Sequence, residues 1–199
     1  IGQLAQANLS ILKQNFGKSG ETIWNFANGL DQSPVRNIHL EQTIKSVGNS
    51  VTTPRDLQNL QDVEIVFTIL AQSIAARLRE HNLKSNVVQI SIRNNQLLTI
   101  NRQATLPYPT FLAQDFAMRA LSIFQKTYQW QYPIRSLGLR ATNLQTGKQA
   151  QQMTLFEQQE EQIKQENLAH TLDILHRRFG ENCIKPAVLY QDPTLSNRI

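Results

Sequence analysis

Cysteine and long apolar runs are scarce in this chain of 199 residues, and each shortage excludes a class of protein. The single cysteine, Cys183, cannot form a disulfide framework, which predicts a cytoplasmic protein with a buried structural thiol. No apolar run approaches the roughly 20 residues that span a bilayer, so we expect no membrane partner. The chain opens at Ile1 inside a helical pattern, which predicts a fragment of something longer.

Enzyme signatures are also missing from the sequence. It has no glycine-rich phosphate loop of recognised spacing and no nucleophile elbow. The histidines of the sequence are His39, His81, His170 and His176. They do not have the spacing of metal ligands, either among themselves or relative to Cys183. We therefore predict no catalytic residue, no metal site and no cofactor within this chain.

Carboxylates and aromatic side chains are absent from the strand-like stretches Thr43–Arg55, Ser85–Leu106 and Pro133–Thr146. The cations in these stretches are Lys45, Arg55, Arg93, Arg102, Arg135 and Arg140. A sheet surface with this charge attracts a polyanion, and nucleic acid is the commonest one. The missing aromatics disfavour RNA recognition by base stacking. A solvated basic surface without a ligand is the alternative, and the missing carboxylates favour binding.

Small residues accompany these cations and bear on how a ligand would approach. They are Ser46, Gly48 and Ser50 in the first stretch, and Ser136 and Gly138 in the last. Such a surface lets a phosphate backbone come close enough for backbone N–H groups to donate to it.

A second candidate phosphate contact is the turn Gly17–Gly20, which includes Lys18. It opens a helix, and the first N–H groups of a helix suit an anion. A plain turn between two helices explains the same residues equally well.

The hydrophobic pattern predicts an α+β fold. The predicted strands are Lys45–Thr53, Val87–Arg93, Leu97–Thr105 and Ile134–Asn143, with helices running to Glu80 and over about Thr110–Thr127. The order β-α-β-β-α-β is typical of a split-βαβ or ferredoxin-like domain, in which two helices cover one face of a four-stranded sheet. Arg102 shares phase with the apolar Leu98 and Ile100, which predicts a bulge or an edge position there.

Changes in composition divide the chain into four segments. A helical segment covers 1–30, a polar linker 31–42, the sheet domain 43–146 and a helical tail 147–199. Near the end of the tail, Ile184–Tyr190 predicts a short extended segment before a frayed end. Earlier in the tail, Leu155-Phe156 in a polar tract is typical of a docking peptide, although both side chains could equally cap the following helix.

Several motifs resemble the Y-family translesion DNA polymerases, closest to the bacterial polymerase IV and ImpB-MucB-SamB (UmuC-like) group. Lys45–Ser50 followed by Thr53-Pro54-Arg55 is similar to the start of their little-finger domain, and Tyr132–Leu139 is similar to its last strand. Residues 1–29 resemble the latter part of the thumb. Gln152–Phe156 falls where bacterial members carry a sliding-clamp-binding peptide, with Met153 and Thr154 in place of the usual Leu and Ser/Asp.

The resemblance implies a partial thumb, a little finger and a clamp-binding tail from an error-prone polymerase. The implied DNA-binding residues are Lys18, Lys45, Ser46, Gly48, Asn49, Thr52, Thr53, Arg93, Arg102, Gln103, Thr105, Arg135, Ser136 and Arg140. The implied clamp-binding residues are Gln152, Met153, Leu155 and Phe156. Duplex primer-template DNA and the sliding clamp would be the partners, with a recombinase-type protein as a further candidate.

The resemblance also implies that the catalytic palm and its Mg²⁺ belong to a part of the parent enzyme that precedes Ile1. This chain would then be non-catalytic and would grip the phosphate backbone of a duplex. The alternative is a protein-interaction module whose basic sheet does not bind DNA.

Overall fold

The computed structural model describes residues 1–35, 43–146, 159–180 and 182–196. They belong to two compact units, Ile1–Thr43 and Ile44–Ile199. The first unit is helical and the second carries the sheet.

Three short helices make up the first unit: α1 (Gly2–Gln6), α2 (Leu9–Phe16) and α3 (Lys18–Ala27). Asn8 starts α2, because its side-chain oxygen accepts a hydrogen bond from the Ser10 N–H at 2.8 Å. Gly17 joins α2 to α3 with a φ of 57°, a conformation that favours glycine. Gly17 alone therefore separates the two helices, and Lys18, Ser19 and Gly20 of the predicted turn are the first residues of α3.

Close contact between α2 and α3 depends on Gly20. A Cβ atom added there would lie 2.2 Å from the carbonyl oxygen of Leu12. Leu12 is itself buried, and the indole N–H of Trp24 donates to the carbonyl of Ala7 at 3.1 Å. The two helices thus meet backbone against backbone, with no room for a side chain between them.

The second unit contains the predicted β-α-β-β-α-β order followed by the tail. Its elements are β1 (Ser46–Leu57), α4 (Leu60–Glu80), β2 (Leu83–Asn94), β3 (Thr99–Thr110), α5 (Ala113–Thr127), β4 (Ile134–Thr146), α6 (Gln159–Phe179), a 3₁₀ turn (Ala187–Tyr190) and α7 (Pro193–Ser196). The sheet order is β1-β4-β2-β3, with every neighbouring pair antiparallel. Each strand–helix–strand unit therefore encloses one strand of the other unit, and the predicted split-βαβ fold is confirmed.

The hairpin between β2 and β3 is longer than the predicted two-asparagine turn. The Asn94 N–H donates to the carbonyl of Leu98 at 3.1 Å, and the Asn94 side-chain oxygen accepts from the Leu98 N–H at 3.0 Å. Leu97 has a φ of 65°, so the chain reverses through a left-handed residue and β3 begins at Thr99. The prediction that β3 begins at Leu97 was wrong by this turn.

The hydrophobic core lies between the sheet and the two helices α4 and α5. Phe67 of α4 and Phe124 of α5 are fully buried and meet edge to face, with ring centroids 6.3 Å apart. Sheet residues that point toward them, such as Ile90 and Leu139, are also buried. The helices therefore cover one face of the sheet, and no described element of the second unit covers the other face, which is called the open face below.

The described part of the tail packs onto the sheet domain. Arg79 of α4 holds Asp173 of α6 with two hydrogen bonds of 2.6 Å, and Lys84 of β2 pairs with Glu166 at 2.7 Å. The extended segment predicted for Ile184–Tyr190 was wrong, because its second half is a 3₁₀ turn.

Two further expectations concern solvent and membrane. Cys183 is exposed, so the prediction of a buried thiol was also wrong. Among the helices of the described residues, none has the length and apolar character needed to cross a bilayer.

Candidate nucleic-acid interface

The open face of the sheet consists of four cross-strand rows, because the register runs without interruption through its centre. The rows are Ser46, Thr142, Val87 and Thr105; Gly48, Arg140, Gln89 and Gln103; Ser50, Gly138, Ser91 and Asn101; and Thr52, Ser136, Arg93 and Thr99. All of these residues are described, and none of them is a carboxylate or an aromatic residue. The face is therefore basic and rich in hydrogen-bond donors.

The centre of the open face is low because two of its residues are glycines. A Cβ atom at Gly138 would lie 3.2 Å from the Cβ of Ser50 and 3.3 Å from that of Ser91. A Cβ atom at Gly48 would lie 3.1 Å from the Cβ of Arg140. Residues of the two middle rows, Arg140 among them, line a shallow depression of about 470 Å³.

Arg93 and Arg140 are the cations of the open face, and both are exposed. Arg93 lies opposite Ser136, four residues from Arg140 along β4. At a strand rise of about 3.3 Å, the two positions are about 13 Å apart. Their guanidinium groups can therefore contact two different phosphates.

Arg102 does not share this face, so the expectation of one common basic surface was wrong here. It pairs with Ile90, which is fully buried on the helix-covered side. Arg102 stays exposed because β3 is the edge strand, and its side chain donates back to the Asn101 carbonyl at 2.9 Å. The predicted edge position explains its irregular phase, and no bulge interrupts the register around it.

Arg135 and Arg55 are held in ion pairs beyond the fourth row. Arg135 pairs with Asp56 at 3.1 Å, and Arg55 makes two hydrogen bonds of 2.7 Å to Asp62. Strand β1 runs on through Asp56, so the prediction that the strands carry no carboxylate was wrong at this end. The register shifts between Thr52 and Leu57, and this irregularity turns both cations toward acids.

The pKa of the Asp62 carboxyl reflects its contact with Arg55. Burial on its own raises the pKa of the Asp62 carboxyl, but hydrogen bonds from Arg55 and from the Gln58 N–H bring it below its ordinary value. Hydrogen bonds to Asp62 and to Asp192 raise the pKa of Arg55. This ion pair joins the exposed Arg55 to the buried Asp62 and does not form part of the open face.

Three other predicted site residues, Asn49, Thr53 and Lys45, lie away from the open face, and the predicted Lys18 belongs to the first unit. The Asn49 amide reaches Ser73 of α4 at 3.3 Å, on the helix-covered side. Thr53 is buried, and its hydroxyl lies 2.7 Å from the Arg55 carbonyl and 3.2 Å from that of Arg135. Lys45 is exposed just before β1, and Lys18 is exposed at the start of α3 in the first unit.

The remaining predicted residues Ser46, Gly48, Thr52, Gln103, Thr105 and Ser136 do lie on the open face. Sequence reasoning missed Gln89, Ser91 and Asn101, which line the depression. A period of two counted back from Arg93 would have found Ser91 and Gln89, since both share its phase. Asn101 follows only from the register of β3, which the sequence did not fix.

Residues 44–155 match the family described as the impB/mucB/samB family C-terminal domain. The chain belongs to this family. The match confirms the resemblance that the strand motifs indicated, and it covers the whole open face of this impB/mucB/samB domain.

Curated relatives of this impB/mucB/samB chain are DNA polymerases IV. It is 42% identical over 199 residues to DNA polymerase IV of Acetivibrio thermocellus, covering 100% of this chain and 50% of the relative. It is 34% identical over 181 residues to DNA polymerase IV 1 of Halalkalibacterium halodurans, covering 91% and 43%. It is 26% identical over 195 residues to DNA polymerase IV of Clostridium kluyveri, covering 95% and 48%. The chain spans about half the length of the curated relatives it matches.

The clamp-peptide residues Gln152, Met153, Leu155 and Phe156 lie outside the described residues. Within the part of the chain that the structure describes, no group of three His, Cys, Asp or Glu side chains could hold a metal ion together.

Proposed function

We propose that this chain is the non-catalytic, DNA-binding C-terminal part of a translesion DNA polymerase, and that its open face holds the phosphate backbone of duplex DNA. The observation that carries the proposal is the chemistry of that face. Its two exposed arginines stand among serine, threonine, asparagine and glutamine side chains, and its described residues include no carboxylate. Phosphates are contacted by these residue types in protein–DNA complexes.

The shape of the open face favours contact with the sugar–phosphate backbone of DNA. Gly48 and Gly138 keep its centre low, so a sugar–phosphate strand can lie across the sheet instead of being held above it. Arg93 and Arg140 supply the two charged contacts, while Gln89 and Gln103 can donate amide hydrogens beside Arg140. Stacking with bases is not expected, since the face carries no aromatic side chain among the described residues.

The deciding experiment compares arginines on opposite faces of the same sheet. The double variant Arg93→Gln/Arg140→Gln loses both charges of the open face, and Arg102→Gln is the matched control from the edge strand. Fluorescence anisotropy with a labelled primer-template duplex measures affinity across a series of salt concentrations. We expect the double variant to bind at least about tenfold more weakly, because one charged hydrogen bond is worth about 1.5 kcal/mol or more.

The salt series makes the same experiment specific for phosphate binding. Removing one arginine from a phosphate should reduce the slope of log K against log salt by about 0.9, so we expect a reduction of about 1.8 in the double variant. Arg102→Gln should keep the affinity and slope of the unchanged chain. Equal losses in all variants, or an unchanged slope, would favour a protein-interaction module whose sheet does not bind DNA.

We further propose that Gln152, Met153, Leu155 and Phe156 dock on a sliding clamp. The support is their composition, since two apolar side chains in a polar tract can fill a pocket on a partner. A recombinase-type partner is proposed for the helix after Phe156, with folding back or self-association through its apolar stripe as the alternatives. Polymerase chemistry with Mg²⁺ is proposed for the parent enzyme, outside this chain.

A further inference from the structure

The C-terminal segment 187–196, here called the latch, completes the core of the sheet domain. It contains the 3₁₀ turn Ala187–Tyr190 and helix α7, and it lies beyond the family match that ends at residue 155. Leu189 is 5% exposed and Leu195 is fully buried, and both belong to the same hydrophobic cluster as the sheet and α4. The domain therefore closes its core with residues that follow the tail helix.

Polar contacts fix the latch to the junction between β1 and α4. The Asp192 carboxylate accepts a hydrogen bond of 2.7 Å from Arg55, the same guanidinium that holds Asp62. Beside it, the Gln61 amide donates to Gln191 at 2.8 Å. Asp192 thus ties the end of the chain to an ion pair that is already part of the domain.

Asp192 has a second role inside the latch. Its other carboxylate oxygen accepts from the Thr194 N–H at 2.8 Å and from the Leu195 N–H at 3.3 Å. These bonds start α7, which carries Leu195 into the core. The Asp192 carboxylate therefore links the ion pair with Arg55 to the burial of Leu195 in the core.

The junction held by the latch borders the open face. The buried Thr53 hydroxyl lies between the carbonyls of Arg55 and Arg135, and so connects β1 to β4 where their register shifts. The next pair along these strands is Thr52 and Ser136, in the row that contains Arg93. The Arg55 backbone is therefore connected, through Thr53 and the neighbouring Thr52–Ser136 pair, to the row that contains Arg93.

We propose that the latch holds the β1–β4 corner, the junction around Thr53 where the two strands shift register, in its DNA-binding shape. Release of the latch then loosens the end of the open face that carries Arg93. The effect of the latch on the corner does not depend on any ligand. Its effect on DNA binding rests on the proposed function.

The test uses the full chain with Asp192→Asn, which keeps an N-cap for α7 and removes the charge that pairs with Arg55. Asp31→Asn is the matched control, since Asp31 accepts from the Ser33 N–H at 2.9 Å in a similar turn of the first unit. Leu195→Ala removes the apolar contact. Amide hydrogen exchange across residues 53–57 and the thermal midpoint are measured without DNA.

We expect Asp192→Asn to speed exchange across 53–57 by about tenfold, with a midpoint lower by roughly 2–4 °C. Leu195→Ala should lower the midpoint by about 5–15 °C, as cavity-forming substitutions do. Asp31→Asn should leave exchange in this region unchanged. Unchanged exchange across 53–57 in both latch variants would overturn the proposal.

The DNA measurement then separates the two proposals. If the unchanged chain binds duplex DNA, Asp192→Asn should weaken binding severalfold even though it removes a negative charge, because the corner is no longer held. Tighter binding by Asp192→Asn would mean that the latch acts on DNA binding only through its charge. It would overturn the proposal that the latch holds the corner in its DNA-binding shape. If the unchanged chain does not bind DNA, the proposed function fails, and the exchange data still decide whether the latch holds the corner.

Discussion

Arg140 lies across the space that a side chain at Gly48 would fill. A Cβ atom at position 48 would come within 3.1 Å of the Arg140 Cβ and Cγ atoms and within 3.2 Å of its Nε atom. On the other side, the Gly48 carbonyl accepts a hydrogen bond of 3.1 Å from Arg77 of α4. Gly48 is therefore held by one arginine through its backbone and makes room for another through its missing side chain.

Gly48→Ala tests whether this space matters for DNA binding. The added methyl should displace the Arg140 side chain by a few tenths of an ångström, so we expect duplex affinity to fall severalfold with little loss of stability. Anisotropy and thermal unfolding measure the two effects. Gly2→Ala is the control, because a Cβ atom there has no neighbour within 4 Å among the described residues. Equal affinity in both variants would mean that the position of Arg140 does not limit binding.

Gly20→Ala addresses the first unit, where the new Cβ would meet backbone instead of a flexible side chain. It would lie 2.2 Å from the Leu12 carbonyl oxygen, so α2 and α3 must separate. We expect a loss of about 1–3 kcal/mol or more, as for other overpacked sites. Faster amide exchange confined to α2 and α3 would report it. Normal exchange there would show that the helices adjust without cost.

Acid should weaken the second unit through the carboxylates that Arg55 holds. The pKa values of Asp62 and Asp192 are both lowered, although burial acts in the opposite direction on each; the Arg55 hydrogen bond lowers that of Asp62, and hydrogen bonds from Thr194 and Arg55 lower that of Asp192. Because an unfolded aspartate has a pKa near about 3.9, this stabilisation is complete at neutral pH and is lost as the pH falls through the folded values. Asp115 contributes with the opposite sign, since burial raises its pKa.

Urea unfolding at pH values from 7 to 3 measures this dependence. The midpoint of the unchanged chain should stay level down to about pH 5 and then decline. Asp192→Asn should start from a lower midpoint and decline less, because one of the titrating groups is gone. An identical decline in both proteins would mean that Asp192 does not contribute to the pH dependence.

The sequence predicted the order of strands and helices because each element carries its own period. The helical spacing of Leu112, Phe116, Ala120, Leu121 and Phe124 predicts the inward side of the second helix, and Phe116, Ala120 and Phe124 are fully buried. The spacing of Val66, Ile69, Leu70, Ser73 and Ala76 predicts the inward side of α4 less well. Ala76 is exposed while Ile74 and Leu78 are buried, since a long helix of mostly apolar residues offers more than one plausible stripe.

The interface was predicted by residue type but not by face. Arg102 and Arg140 have the same chemistry, and only the pairing of β3 with β2 separates them. Arg135 lies on a strand yet pairs with Asp56, because a register shift redirects it. Pairing and bulges are relations between distant parts of the chain, so a local pattern could not fix them.

The clamp-docking proposal is tested by Leu155→Ala/Phe156→Ala in a pull-down with purified sliding clamp. We expect clamp binding to be lost, because the two apolar side chains supply most of the contact in such a peptide. Duplex affinity should not change, since neither residue is one of the proposed DNA contacts. The control is Met153→Leu, which restores the more usual residue and should strengthen clamp binding.

The combined result separates three cases. Lost clamp binding with intact DNA binding would support two independent partners for one chain. Intact clamp binding in the double variant would contradict the docking proposal and direct attention to another surface. Loss of both activities would indicate that Leu155 and Phe156 support the fold, as a cap for the tail helix would. Amide exchange in α6 identifies this last case, because only a structural role predicts faster exchange there.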